Sequence, residues 1–126
     1  MSDDLWPPAQ AASAQIELGA EDAKLVTLGR SARARNDSAE GAAVRDDTGR
    51  TYVATTVALP SLRLSALRAA IVMAVASGAR ALEAAAVVSA SGMLAADDIA
   101  AVADLASGVP VFLAGPDGVP RTRTLS

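Results

Sequence analysis

Two short apolar runs do most to limit what this chain can fold into. Residues 82–88 and 109–114 are apolar over strand length, interrupted only by Glu83 and Pro110. A run without polar alternation is what a central strand covered on both faces needs. Between them Asp97 and Asp98 open a segment reaching about Ser107, with Ile99, Val102 and Leu105 on one helical face. Upstream, residues 62–77 form the strongest predicted helix, stopped by Gly78 as the residue after its C-cap. Strand–helix–strand units of this kind predict parallel neighbours joined by right-handed crossovers.

The first half of the chain adds a hairpin and a helix. Residues 40–45 and 50–58 flank Asp46-Asp47-Thr48-Gly49, and the second arm is rich in Thr, Val and Tyr, which predicts paired strands around a tight turn. Residues 21–36 repeat Leu25, Leu28 and Ala32 at helical spacing. Glu21 and Asp22 stand at the positive end of that helix dipole, and Arg30, Arg33 and Arg35 near the negative end. A Gly115-Pro116-Asp117-Gly118 turn precedes a polar tail that can add an edge strand. The expected fold is a three-layer α/β/α domain on a mixed four- to five-stranded sheet. Residues 1–19, with Trp6, Pro7 and Pro8 and little periodicity, are expected to be a disordered tail, and residues 20–126 a single domain.

Composition narrows the chemistry more than it names it. The 126 residues include no cysteine and no histidine, which excludes thiol and imidazole catalysis, a disulfide framework and an ordinary zinc site. The net charge of −3 gives no general pull toward nucleic acid or an anionic membrane surface. The Arg30, Arg33 and Arg35 group beside Lys24 has no interleaved aromatics for base stacking and reads as a solvated helix end. Met1 is followed by Asp3 and Asp4 rather than a secretory pattern, and the uncharged run 69–79 is too short to span a bilayer. A cytoplasmic protein without a cofactor, a nucleic-acid partner or a membrane partner is expected.

The helix predicted over 62–77 is unusual. Its only charges are Arg63 and Arg68, while Leu64, Leu67, Ile71, Val72, Met73 and Val75 spread around its circumference. A helix apolar all round is buried all round, and a domain this small rarely does that alone. A second copy of the chain is the simplest cover, so a homodimer or homotetramer is expected.

These residues resemble a known family. Glu40-Gly41-Ala42-Ala43-Val44-Arg45-Asp46-Asp47-Thr48-Gly49-Arg50 is similar to the first hairpin of the small cytidine deaminases. Leu64-Ser65-Ala66-Leu67-Arg68, continued to Gly78, resembles their Cys-Ala-Glu-Arg helix and its Ala-Val-x-x-Gly ending. Residues 82–88 and 109–118 resemble two later strands, so the likeness spans about 21–118. It implies the cytidine deaminase-like fold and a homotetramer with this helix at the subunit centre, where Leu64, Leu67, Ile71, Val72 and Met73 form the interface. It also implies a zinc ion held by one Cys or His and two Cys of a Pro-Cys-x-x-Cys loop, with a proton-shuttling Glu two residues after the first ligand. This chain departs at each point. Ser65 stands in the first ligand's place and Leu67 in the glutamate's. The loop reads Ala95-Ala96-Asp97-Asp98-Ile99, and Thr56-Val57-Ala58 falls at the ribose-binding Asn-x-Glu. The C-terminal helix of such enzymes would lie beyond Ser126.

Two readings follow. In the first, the chain is a catalytically inactive relative of cytidine deaminase, kept as an oligomeric interaction or regulatory module. In the second, it is a zinc-independent protein or enzyme that binds a nucleoside or nucleotide in a residual cleft formed by Thr55, Thr56, Ser65, Leu67, Arg68 and Asp97. Converging buried polar groups near Ser65, Arg68, Thr55 and Asp97 would favour the second. A cleft plugged by Leu67, Leu59 and Leu62 would favour the first. Taken singly, the residues have plain structural roles. Asp97 and Asp98 point about 100° apart on a helix and suit its first turn. Ser65 reads as a helix-interior packing residue with no base beside it. Arg68 needs a partner, which Glu40, Glu83, a chain terminus or a ligand's phosphate or carboxylate would supply.

Overall fold

A computed structural model of the chain describes residues 16–126. The tail expected over residues 1–19 therefore lies mostly outside the described residues. Of its last members, Leu18 is half-buried and packs against the core.

Helix α1 (Ala20–Asn36) is followed by β1 (Glu40–Asp46), β2 (Thr51–Thr55), β3 (Val57–Leu59), β4 (Leu62–Leu64), α2 (Ala66–Ala76), β5 (Leu82–Ser89), α3 (Ala96–Leu105), β6 (Pro110–Ala114) and β7 (Pro120–Leu125). Five strands form one mixed sheet in the order β2-β1-β5-β6-β7, and β3 pairs only with β4. Only β5 and β6 are parallel neighbours. β1 is antiparallel to both β2 and β5, so β2 and β5 run the same way with β1 between them. The parallel neighbours expected on either side of α2 are thus separated by a strand.

Alternation along the central strands builds two cores. Ala42, Val44, Ala85, Val87, Val111 and Leu113 face α2 and α3. Ala43, Ala84, Ala86, Val88, Phe112 and Ala114 face the other way, with Leu25 and Val26 of α1. The expected three layers are therefore present. The many alanines let the helices approach closely. The limit is reached where α1 crosses β1. A Cβ on Gly41 would collide with the Gly29 carbonyl oxygen and come within 3.0 Å of Arg33, so only glycine at position 41 permits this backbone contact.

The second structural difference lies at the start of α2. Residues 62–64 are strand β4, not the first turn of the helix. Pro60 and Ser61 turn the chain between Leu59 and Leu62, which pair. The helix ends as expected: Gly78 has φ +100°, and the Ala79 N–H donates to the Ala74 carbonyl at 2.9 Å. No helix among the described residues is long and apolar enough to cross a membrane.

Two polar centres tie the layers together. At one end of the sheet, Arg45 reaches Asp22 of α1 through Nη2 and Glu83 of β5 through Nε, each at 3.0 Å. Burial works against its charge, but the Glu83 and Asp22 carboxylates outweigh it and hold the guanidinium more firmly protonated. Its Nη1 is buried without a partner among the described residues. Beside it, Asp46 organises the β1–β2 turn. Its Oδ1 accepts from Thr48 N, Thr48 Oγ1 and Arg50 N, and its Oδ2 from the Tyr52 hydroxyl. Burial alone would push the Asp46 carboxyl up, but these donors prevail and hold its pKa at about 2.

Candidate functional site

The second polar centre lies where the sequence suggested a site. Because β4 ends at Leu64, Ser65 is the N-cap of α2 and not an interior residue. Its Oγ accepts from Arg68 N at 3.1 Å, the usual cap bond. The same oxygen accepts from Arg68 Nε at 3.3 Å and donates to Asp98 Oδ1 at 2.7 Å. Arg68 Nε also donates to Asp98 Oδ1, at 3.1 Å. The hydroxyl's one proton and both of its lone pairs are thereby committed.

The cluster joins the first turns of two helices. Asp98 lies in the first turn of α3, and its side chain is only 4% exposed against 38% for Arg68. The partner of Arg68 is therefore none of those expected. Glu40 instead turns its carboxylate to α2, accepting from Ala66 N at 3.3 Å. Its own N–H donates to Thr56 Oγ1 at 3.1 Å, which links the cluster to the end of β2.

The six expected cleft residues do not form one cleft. Ser65 and Arg68 meet. Asp97 is exposed, and its neighbour Asp98 takes the inward position. Leu67 is fully buried in the core between α2 and the sheet. Thr55 and Thr56 line a separate shallow groove of about 450 Å³ with Asn36, Ser38 and Ala58. Thr55 Oγ1 there already accepts from Asn36 Nδ2 at 3.1 Å. Leu59 and Leu62, which as a plug would have favoured the first reading, are 55% and 50% exposed on the β3–β4 hairpin and seal nothing. Sequence reasoning missed Asp98 and the bridging role of Glu40. A signal for Asp98 existed: it stands four residues before Val102, and Val102 is the fully buried residue of α3.

Comparison with known proteins gives this arrangement a context. Residues 18–118 match the cytidine deaminase-like family. The chain belongs to that family. Among solved structures, cytidine deaminase from Burkholderia pseudomallei matches this family member with a TM-score of 0.71 at 23% identity, over 81% of this chain and 90% of that one. Cytidine deaminase from Mycobacterium leprae gives 0.59 at 23% identity over the same shares. At such identities the likeness is one of fold. No curated protein sequence matches the chain.

The zinc ion that the deaminase resemblance implies does not fit the residues of this member. Ser65 and Asp98 offer one hydroxyl and one carboxylate, and the Arg68 guanidinium lies 3.3 Å and 3.1 Å from them. A dication placed there would face a resident cation with oxygen donors alone, whereas zinc favours nitrogen and sulfur. No group of three His, Cys, Asp or Glu side chains suited to a metal occurs among the described residues. The arrangement can hold two helix starts together. The Ser65 proton is held by a carboxylate that also accepts from Arg68.

Proposed function

We propose that this cytidine deaminase-like protein is a non-catalytic member of its fold, acting in the cytoplasm as a self-assembling interaction or regulatory module. Polar groups do converge at Ser65 and Arg68, but they close on Asp98 and on one another rather than on an open cleft. This closed Ser65–Asp98–Arg68 cluster is the observation that carries the reading. Each group's strongest partner is another member, and Leu67 fills core space in the position that the resemblance gives to an acid. The α2 helix supports the assembly half of the reading. Val72, Met73 and Val75 are 53%, 45% and 49% exposed on its outer side. Covering them would gain ~25 cal/mol per Å² of apolar surface before association costs. Leu67 and Ile71, expected at the interface, are used inside the chain, so the contact falls to Val72, Met73 and Val75, with half-buried Leu64 at the margin.

The competing reading places a nucleoside in the groove beside Thr55 and Thr56, supported by the polar lining there. Four measurements on purified, tag-free protein separate the two. Elemental analysis is expected to find no stoichiometric zinc. Cytidine and deoxycytidine are expected to release no ammonia above blank and to leave the melting temperature unchanged. Light scattering at micromolar concentration is expected to give the mass of a dimer or tetramer. Ammonia release would overturn the non-catalytic reading, and a monomer mass would overturn the assembly. A nucleoside-induced rise in melting temperature would move the function to the groove.

A further inference from the structure

The sheet ends differently at its two edges. β7, at one edge, carries Pro120, Arg121 and Arg123, and its pairing with β6 shifts register between Leu113 and Ala114. Proline, charge and irregular pairing all discourage a further strand from adding there. β2, at the other edge, reads Thr51-Tyr52-Val53-Ala54-Thr55, with no charge, no proline and no register shift against β1. Its Thr, Tyr and Val suit a strand.

The ladder shows which backbone groups of β2 are spare. At its two ends, Asp46 N donates to Arg50 O at 2.9 Å and Thr56 N to Glu40 O at 3.3 Å. In an antiparallel pair, hydrogen-bonded residues alternate with residues that point their N–H and C=O away. Tyr52 and Ala54 therefore bond to β1, and Thr51, Val53 and Thr55 turn their backbone groups outward. No strand among the described residues takes them.

We propose that a second copy of the chain pairs its β2 with this one, antiparallel about Val53, so that two five-stranded sheets become one. This rests on the self-assembly reading above and gives it a geometry. Thr51 faces Thr55 of the partner subunit at each end, all three outward residues are used, and no like charges meet. The helices fit the same two-fold axis. α2 lies over β1 and β2 to a similar extent, and neighbouring strands are about 4.8 Å apart. A helix centred over that pair stands about one strand spacing from the axis. The two α2 helices are then about 10 Å apart, a helix-packing distance. Arg68 marks the flank of α2 toward α3, because it pairs with Asp98. Met73 lies about 140° round the helix from it, on the flank toward β2, with Ala69 and Ala76 beside it. Met73 is 45% exposed, and the alanines allow close approach. The guarded β7 edge ends the joined sheet on both sides, so the pair closes and does not grow into a filament.

The chain has no cysteine, so introduced thiols report the pairing on the full-length protein without background. In this register the Cα atoms of residue 51 and the partner's residue 55 are about 5.5 Å apart, within disulfide reach. T51C/T55C should give a covalent dimer under mild oxidation, and so should a mixture of T51C and T55C. Either single variant alone should not, because its two thiols sit about 14 Å apart along the strands. Charge tests the same register without a covalent bond. T51E/T55E sets like charges opposite each other and should raise the concentration for half-assembly about tenfold. T51K/T55E sets opposite charges there and should return it to the wild-type range. Circular dichroism checks the fold of each variant. Cross-linking of the single variants as fast as of the double overturns the pairing. So does a T51K/T55E chain that assembles no better than T51E/T55E. An assembled wild type whose double variant does not cross-link overturns the pairing and leaves the self-assembly reading in place. A monomeric wild type overturns both.

Discussion

The helices on the two faces of the sheet solve burial differently. α1 turns Leu25, Val26, Gly29 and Ala32 inward and shows water a mostly charged and polar outer side. α2 buries Ala66, Leu67, Ala69, Ala70, Ile71 and Ala74 and then exposes Val72, Met73 and Val75 as well. Among the described residues, α1 keeps a polar outer side, whereas α2 has an apolar side that none of them covers. The polar anchors differ in the same way. Arg45, which ties α1 to the sheet, binds two carboxylates that are 27% and 49% exposed. Arg68, which ties α2 to α3, binds one carboxylate that water hardly reaches. The number of partners is therefore a poor guide to which arginine matters more. What decides is the charge left behind when the arginine is removed.

The largest expected effect tests the α1 face. Gly41→Ala forces a methyl group into the Gly29 carbonyl, so helix and strand must separate. A loss of about 3 kcal/mol or more in urea unfolding is expected. Gly29→Ala meets nothing nearer than 3.3 Å and should cost only about 1 kcal/mol. Equal costs would show that the contact is not specific to Gly41.

Arg68→Met comes next. It strands the Asp98 carboxylate in the interior with only the Ser65 hydroxyl, and a cost of about 3 kcal/mol is expected at neutral pH. Asp98→Asn should cost less, about 1–2 kcal/mol, because Arg68 can turn to water. The double variant should fall well short of the sum, since the two share one interaction. Additivity would dissolve the pair as an energetic unit.

Much of this architecture was legible in the chain, and the failures have physical causes. Residues 82–88 and 109–114 could be placed because a strand covered on both sides needs an unbroken apolar run. The β1–β2 turn could be placed because Asp46 and Gly49 suit tight turns. The β3–β4 hairpin was not seen. Three-residue strands carry too little periodicity, and Leu62 and Leu64 fit the start of a helix as well as a strand. Ser65 was misread as a consequence: moving the helix start by a few residues turns an interior serine into a cap. The choice of Asp97 over Asp98 was an error of one residue, or about 100° on a helix. The Arg68–Asp98 pairing spans 30 positions and depends on how α2 and α3 pack, which no local pattern encodes.

Asp46 gives the comparison a pH dependence. Its folded pKa of about 2 lies below the ordinary 3.8, so the unfolded chain takes up the proton first on acidification. The stability it supplies is fully present above about pH 5 and is lost as pH falls toward 2. The melting-temperature gap between wild type and Asp46→Asn should be widest at neutral pH and close across that window. A gap that stays constant with pH would mean that the carboxylate's charge is not what organises the turn. Arg45→Met ranks below it, at about 1 kcal/mol. Asp22 and Glu83 return to water, and the buried Nη1 without a partner disappears.

The smallest expected effect on stability is also the most informative about α2. Val72→Asp and Met73→Asp place a charge on positions already about half exposed in a single chain. Such substitutions usually change the stability of an isolated domain by no more than about 0.5 kcal/mol. If the outer side of α2 is buried between copies, the same aspartates become unpaired charges in an apolar contact and should cost several kcal/mol of association. The expected result is a folded monomer: unchanged circular dichroism and urea midpoint measured below the dissociation concentration, with the assembled mass lost in light scattering. An unchanged assembled mass in both variants would place the interface elsewhere. Unfolding of both would mean that α2 is covered within its own chain and that the contrast between the two helices does not hold.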